Sequence, residues 1–449
     1  MSPRNPQTPN RRQFLQLAGC TIGSATLVGA ATPGRASEPA DWSFDTGGPV
    51  FSSPTVVENT VYVGSQRGAV YALDGATGEQ IWAFETSESV DSSPFVIDQS
   101  GGGDSADRLV LVGCDDTNLY ALDAESGDQE WQIETNGRIQ ASPVVGAETL
   151  FIVSDNDGLY AVDTTSGEQR WFSEYRSASY ASPTVIEDTV FVRGQKLRAL
   201  DPRSGWQRWQ FDLGSGTYSS PTVADGTVYI GDRERNGGPN SAGNLYALDI
   251  ESGEEEWVFD TDEFVDASPT VAGETVYVGG WKTRFRSSDD ESSGTGSVFA
   301  VEADSGTKRW QFETDGRVLS SPTVADGVVF VGSWDGTVYG LDAATGDERV
   351  ALETGGRVSS SPTVADGRLY VGSNDGHVYA LSAGVTGTST DSRVELGTLG
   401  HTGSKRLPEN LQPSSRLDGF TARSLGAGGA VGFLAGSGLL YYGDDSLNS

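Results

Sequence analysis

One short phrase recurs eight times along this chain. Ser-Pro followed by apolar or β-branched residues appears at Pro54, Pro94, Pro143, Pro183, Pro221, Pro269, Pro322 and Pro362. The intervals are 40, 49, 40, 38, 48, 53 and 40 residues. A chain built this way folds as stacked copies of one supersecondary unit.

The seventh copy, residues 320–350, shows what the unit is. Pro322 to Val324 reads as a short inner strand that opens on a Pro, where a missing donor is tolerated. Asp326-Gly327 is a tight turn, Val328 to Gly332 a second strand, and Trp334-Asp335-Gly336 a second turn. Thr337 to Asp342 is a third strand. It runs into a fixed loop, Asp-x-x-(Thr/Ser)-Gly, which starts at Asp74, Asp123, Asp163, Asp201, Asp249 and Asp342, with Glu302 as a variant. Four residues past the Gly stands a Trp, at Trp82, Trp131, Trp171, Trp209, Trp257 and Trp310; the seventh copy has Val350. That Trp opens an outer strand, Trp-x-(Phe/Ile)-x-(Thr/Asp). The eighth copy stops at Ser382 without one, and Trp42-Ser43-Phe44-Asp45-Thr46 precedes the first Ser-Pro. The counts balance only if the N-terminal segment completes the last repeat. The expected fold is all-β: an eight-bladed β-propeller closed by an N-terminal outer strand, which also protects a sheet edge.

Ala121 to Trp131 reads Ala-Leu-Asp-Ala-Glu-Ser-Gly-Asp-Gln-Glu-Trp. This resembles the pyrroloquinoline quinone (PQQ) propeller repeat with its tryptophan-docking motif, over residues 42–383. The resemblance implies that Trp82, Trp131, Trp171, Trp209, Trp257 and Trp310 are structural and hold neighbouring blades together. Two branches share the repeat: quinoprotein dehydrogenases, and non-catalytic propellers of the BamB type. The dehydrogenase branch implies adjacent cysteines against the quinone, a calcium held by Glu and Asn, and an Asp base. Only Cys20 and Cys114 occur here, so no adjacent pair exists. No cofactor is therefore expected; PQQ with calcium belongs to the alternative, a PQQ-dependent oxidoreductase. The only histidines, His377 and His401, leave no His-based triad or metal site. Asp155-Asn156-Asp157-Gly158 lacks the later acidic ligand of a calcium loop and reads as a turn.

Net charge is -33, with 63 acidic and 30 basic residues. The excess is that of a halophilic, haloarchaeal chain, and it argues against nucleic acid and anionic membrane as partners. Residues 1–36 form a twin-arginine export signal around Arg11-Arg12. Leu17-Ala18-Gly19-Cys20 fits a lipidation box, although the apolar stretch continues past Cys20. Residues 384–424 read as a flexible linker. Residues 425–449 are a Gly-rich apolar tail whose uncharged run, 425–442, is either a membrane anchor or a disordered or locally packed end. The chain is expected to be an exported, surface-associated, monomeric propeller.

Binding is expected where loops enter the inner strands. The third residue before each Pro gives Phe51, Asp91, Gln140, Tyr180, Tyr218, Asp266, Leu319 and Ser359, with Arg138, Arg317 and Arg357 just upstream. A second candidate is a pair of enlarged loops, 231–244 and 279–297. The latter carries Trp281, Lys282, Arg284, Phe285 and Arg286, a basic-aromatic cluster expected to be exposed and outside the docking register. A third long loop, 99–107, reads as a spacer on the opposite face. The expected function is non-enzymatic binding of an extracellular or cell-envelope protein or a small ligand. The rivals are the quinone oxidoreductase and a structural surface protein without a ligand.

Overall fold

The computed structural model describes residues 40–98, 108–146, 149–155, 158–164, 168–175, 180–186, 188–213, 218–233, 243–283 and 294–389, and a short strand at Lys405–Arg406. The signal at 1–36 with Cys20, the tail 425–449, the loop 99–107, Arg284, Phe285, Arg286 and His401 lie outside the described residues.

Eight sheets account for the described strands, antiparallel among the four strands of each blade. Blades 1 to 7 occupy residues 55–85, 95–134, 144–174, 184–212, 222–261, 270–314 and 323–353, each in simple strand order. Blade 8 takes three strands from 363–382 and its fourth from Trp42–Asp45, paired as Trp42↔Ala380 to Asp45↔His377. The N-terminal strand thus closes the ring. The buried side chains cluster between adjacent blades, as where Val298 and Trp310 of blade 6 meet Val331 and Leu341 of blade 7.

The recurring Ser-Pro phrase has a direct physical reason. The N–H of the Ser before each Pro donates to the Oγ of the same Ser in the next blade, at 2.9–3.0 Å. The bonds run Ser53, Ser93, Ser142, Ser182, Ser220, Ser268, Ser321, Ser361 and back to Ser53. Buried backbone N–H groups near an axis need such partners.

The Asp-x-x-Thr-Gly loop ties the outer edge in the same way. Asp74 Oδ1 accepts from Ala76 N and Thr77 N, and Gly78 takes φ +74°. A Cβ on Gly78 would lie 2.6 Å from the indole of Trp42, so the turn needs glycine twice over. Trp42 Nε1 donates to Gly75 O at 3.1 Å, which makes this N-terminal Trp a further link between blades. The same indole N–H to carbonyl bond joins Trp82 to Ala124, Trp171 to Pro202, Trp209 to Ile250, Trp257 to Ala303 and Trp310 to Ala343.

The start of the linker is more ordered than its composition suggests. Thr386 N and Gly387 N donate to Asp326 Oδ2, each at 2.7 Å. Ser389 is buried and its Oγ bonds both N and O of Val364, on the inner strand of blade 8. Lys405–Arg406 pairs in parallel with Phe95–Asp98 of blade 2. No described helix is long and apolar enough to cross a membrane.

Candidate functional site

One face of the ring carries the loops entering the inner strands and the turns between second and third strands. The residue four before each Pro anchors its loop: Val50, Val90, Ile139, Val265, Val318 and Val358 are fully buried. Alternation in extended backbone then turns the residues three and five before the Pro the other way, toward the mouth. The facing turn reaches the same place. Trp281 N donates to Phe264 O, Trp334 N to Arg317 O and Asn374 N to Arg357 O, at 2.8–3.0 Å. The side chains of Trp281 and Trp334 then lean on the next blade's loop, against Arg317 and against Arg357 and Ser359.

Over blades 4 to 8 these positions form an unbroken series of stacked rings and guanidinium groups. Tyr180 meets Tyr218 edge-on at 5.1 Å. Arg233 lies 5.1 Å over Tyr218 and 5.3 Å over Trp281. Arg317 lies 4.1 Å over Trp281 and 4.9 Å over Trp334, and Arg357 lies 4.7 Å over Trp334. Such cation–π contacts orient the cations and gain strength when partly desolvated. Tyr180 and Tyr218 are 40% and 44% exposed, so the series opens to solvent at its aromatic end.

Hydrogen bonds fix the series. Trp281 Nε1 donates to Asp266 Oδ2 at 2.6 Å, and Arg233 Nε donates to Asp266 Oδ1 at 2.8 Å. Trp334 Nε1 donates to Ser359 Oγ at 2.9 Å. Arg193 is fully buried at the end of the second strand of blade 4; desolvation lowers its pKa to about 10, against the pull of Asp266 and Asp232.

Blades 2 and 3 give the mouth the opposite character. Asp91 is 9% exposed and accepts from Gln66 Nε2 at 3.1 Å. Burial pushes its carboxyl up to about 6. Asp115 accepts from Gln140 Nε2 at 3.3 Å and faces Arg138 at 3.7 Å. Burial raises its pKa as well.

The structure therefore brings Asp91, Gln140, Tyr180, Tyr218, Asp266, Arg317 and Arg357 to one mouth. It changes the account of the enlarged loop in blade 6. Trp281 and Lys282 belong to a long strand, Thr275–Thr283, paired with Gly294–Glu302. Trp281 is 7% exposed, not a free loop side chain. Lys282 Nζ lies 3.4 Å from the buried Glu263, so its charge is already engaged. The expectation of an exposed Trp281 fails because the strand pairs on past Gly280 and folds the indole onto Phe264, 4.8 Å between ring centres.

Sequence reasoning missed Arg233, Trp334 and Asp115. The signal was present: each stands two residues after the Gly near the end of the second strand (Gly113, Gly231, Gly332), the place Gln66 holds after Gly64 in blade 1.

The comparisons with known proteins give the chain a family. The family described as "Outer membrane protein assembly factor BamB" matches residues 97–193, 193–295 and 294–390. "Glucose/ethanol/alcohol dehydrogenase, beta-propeller domain" matches residues 40–140. The chain belongs to the PQQ-like β-propeller family. Its fold is similar to that of BamB from Moraxella catarrhalis, at 20% identity and TM-score 0.60, covering 76% of this chain and 98% of that one. The computationally designed Ika8 protein is similar at 15% identity and TM-score 0.59, covering 75% and 98%. Quinohemoprotein alcohol dehydrogenase from Comamonas testosteroni is similar at 17% identity and TM-score 0.57, covering 81% and 79%. No curated protein matches the chain. At such identities the likeness speaks for the PQQ-like fold, and a designed chain shares it, so function rests on the mouth.

Proposed function

We propose that this PQQ-like propeller is an exported, non-catalytic binding protein whose mouth captures a protein or ligand at the cell surface. The observation that carries the reading is the series from Tyr180 through Arg233, Trp281, Arg317 and Trp334 to Arg357. Tyr, Trp and Arg are the residues in which binding energy concentrates. The description of the matching family as an assembly factor favours a protein partner.

The oxidoreductase alternative asks for a quinone stack at this mouth, and the described residues do not fit one. Cys114 is the sole cysteine of the propeller, is fully buried, and directs its thiol to Glu88 O and Ser89 O at 3.4 Å. Burial pushes that thiol up to about 12. Trp281 and Trp334 each have two guanidinium groups packed over the ring. No step through a quinone is derived from this donor set.

The test is capture by the immobilised full chain in concentrated salt, beside Arg317→Gln and Trp334→Ser variants, with a dye-linked dehydrogenase assay supplied with PQQ and calcium. Capture lost in both variants, without dye reduction, is the expected result. PQQ-dependent dye reduction by the wild type would overturn the reading in favour of the oxidoreductase.

A further inference from the structure

The mouth is polarised, and this points to the chemistry of what it holds. Resting on the binding reading above, we propose that it takes an extended polypeptide segment with acidic residues at one end and basic residues at the other. The segment lies across the axis, its acidic end on Arg317 and Arg357 and its basic end on Asp91 and Asp115.

Ring topology sets the two ends apart. The contact of Asp115 with Gln140 joins blade 2 to blade 3, while Arg317 and Trp334 belong to blade 7. In a ring of eight sheets blade 3 faces blade 7 across the axis. Asp115 and Arg317 therefore stand on opposite sides, with Arg138 beside Asp115 and Asp266 matched to Arg233.

Both ends have capacity for a ligand. Arg357 stacks on Trp334 and forms no ion pair with any described residue, whereas Arg233 is matched by Asp266. Stacking holds its guanidinium in a plane suited to a two-pronged bond with a carboxylate. On the opposite side Asp115 Oδ1 is buried and accepts no hydrogen bond. That oxygen is closed to solvent, so a ligand ammonium or guanidinium at the mouth acts on the desolvated carboxylate through its charge. Arg138 Nη1 sits 3.7 Å from the other oxygen, Oδ2, and is mostly exposed.

The middle of the mouth favours a chain over a small zwitterion. Tyr180 and Tyr218 lie between the two ends, and their exposed rings give side chains of a crossing segment apolar surface to cover. The net charge of -33 repels a wholly acidic partner, and a basic end offsets this.

Fluorescent peptides of equal length, the first two of equal composition, test the proposal on the full chain. One has its Glu residues at one end and its Lys residues at the other; a second has them interspersed; two more are all-acidic and all-basic. The segregated peptide should bind roughly tenfold tighter than the interspersed one, a difference of 1.4 kcal/mol. Arg357→Gln should remove the gain from the acidic end, and Asp115→Asn the gain from the basic end. Thermal unfolding checks that each variant is folded, and Arg357→Gln carries the test alone if Asp115→Asn is not. Equal binding of segregated and interspersed peptides overturns the proposal. If the all-acidic peptide binds as tightly as the segregated one, the polarity falls while the binding reading stands. If no peptide binds, the proposal falls and the binding reading is decided by the capture assay above.

Discussion

Ser361 donates its backbone N–H to Ser53 Oγ at 3.0 Å, across 308 residues of chain. This bond closes the inner ring, as the pairing of Trp42–Asp45 with blade 8 closes the outer one. Both closures bring the two ends of the propeller together, so its stability depends on long-range contacts. Deleting residues 42–46 removes the outer strand, the Trp42 bond to Gly75 and the Thr46 bonds to Gly376. The deletion should lower the thermal midpoint and expose blade 8 to limited proteolysis. Equal midpoints for the deleted and full-length proteins would show that the ring closes by the inner bonds alone.

Tryptophan positions separate framework from surface. Trp82 is buried against Gly127 of the next blade and bonded to Ala124 O. Trp82→Ala should cost about 3–5 kcal/mol. Trp206 stands one residue after Gly205, where most other copies carry an acid, and is 79% exposed. Trp206→Ala should stay within about 0.5 kcal/mol of the parent. Urea denaturation of the two variants decides between these outcomes.

The framework was legible because each copy of the repeat carries its own local reasons: Ser for the inner ring, Asp and Gly for the turn, Trp for the neighbour. Eight copies averaged out the exceptions, and the missing outer strand revealed the closure. The mouth was half legible. Spacing from each Pro located Asp91, Tyr180, Tyr218 and Asp266, since loop position follows from the repeat. Arg233 and Trp334 escaped because their meaning is a contact with the next blade's loop, which one repeat cannot show. Trp281 was misread because loop length alone does not tell an exposed loop from a strand that pairs further. The order of residues 386–389 was also hidden, since a Gly/Thr/Ser composition does not announce that Asp326 and Val364 will hold it.

Trp281 now carries a prediction opposite in sign to that of an exposed loop residue. Its indole packs on Phe264 and Arg317 and donates to Asp266. Trp281→Phe keeps an aromatic ring but loses a hydrogen bond to a buried carboxylate, a class worth about 1.5–3 kcal/mol. Trp281→Ala should cost about 3–5 kcal/mol. Chemical denaturation measures both. If Trp281→Phe is as stable as the parent, Arg233 alone suffices to hold Asp266.

Asp91 supplies a test by pH. Burial raises its carboxyl from 3.8 to about 6, so the folded protein binds this proton more tightly than the unfolded chain does. The sign follows from linkage: its contribution is complete below about pH 4 and is lost as pH rises through 6. Gln66 Nε2 and Tyr180 bond the carboxylate and Arg138 attracts it, while Asp115 repels it; the desolvation cost outweighs the help. Asp91→Asn removes the titration and keeps an oxygen to accept from Gln66. The variant should gain stability over the parent between pH 4 and pH 8, reaching on the order of 3 kcal/mol at the upper end. Denaturation curves collected at both pH values measure the gain. A difference between the two proteins that does not change with pH would mean that Asp91 ionises in the folded mouth as it does in water, and that the mouth is wetter than its packing indicates.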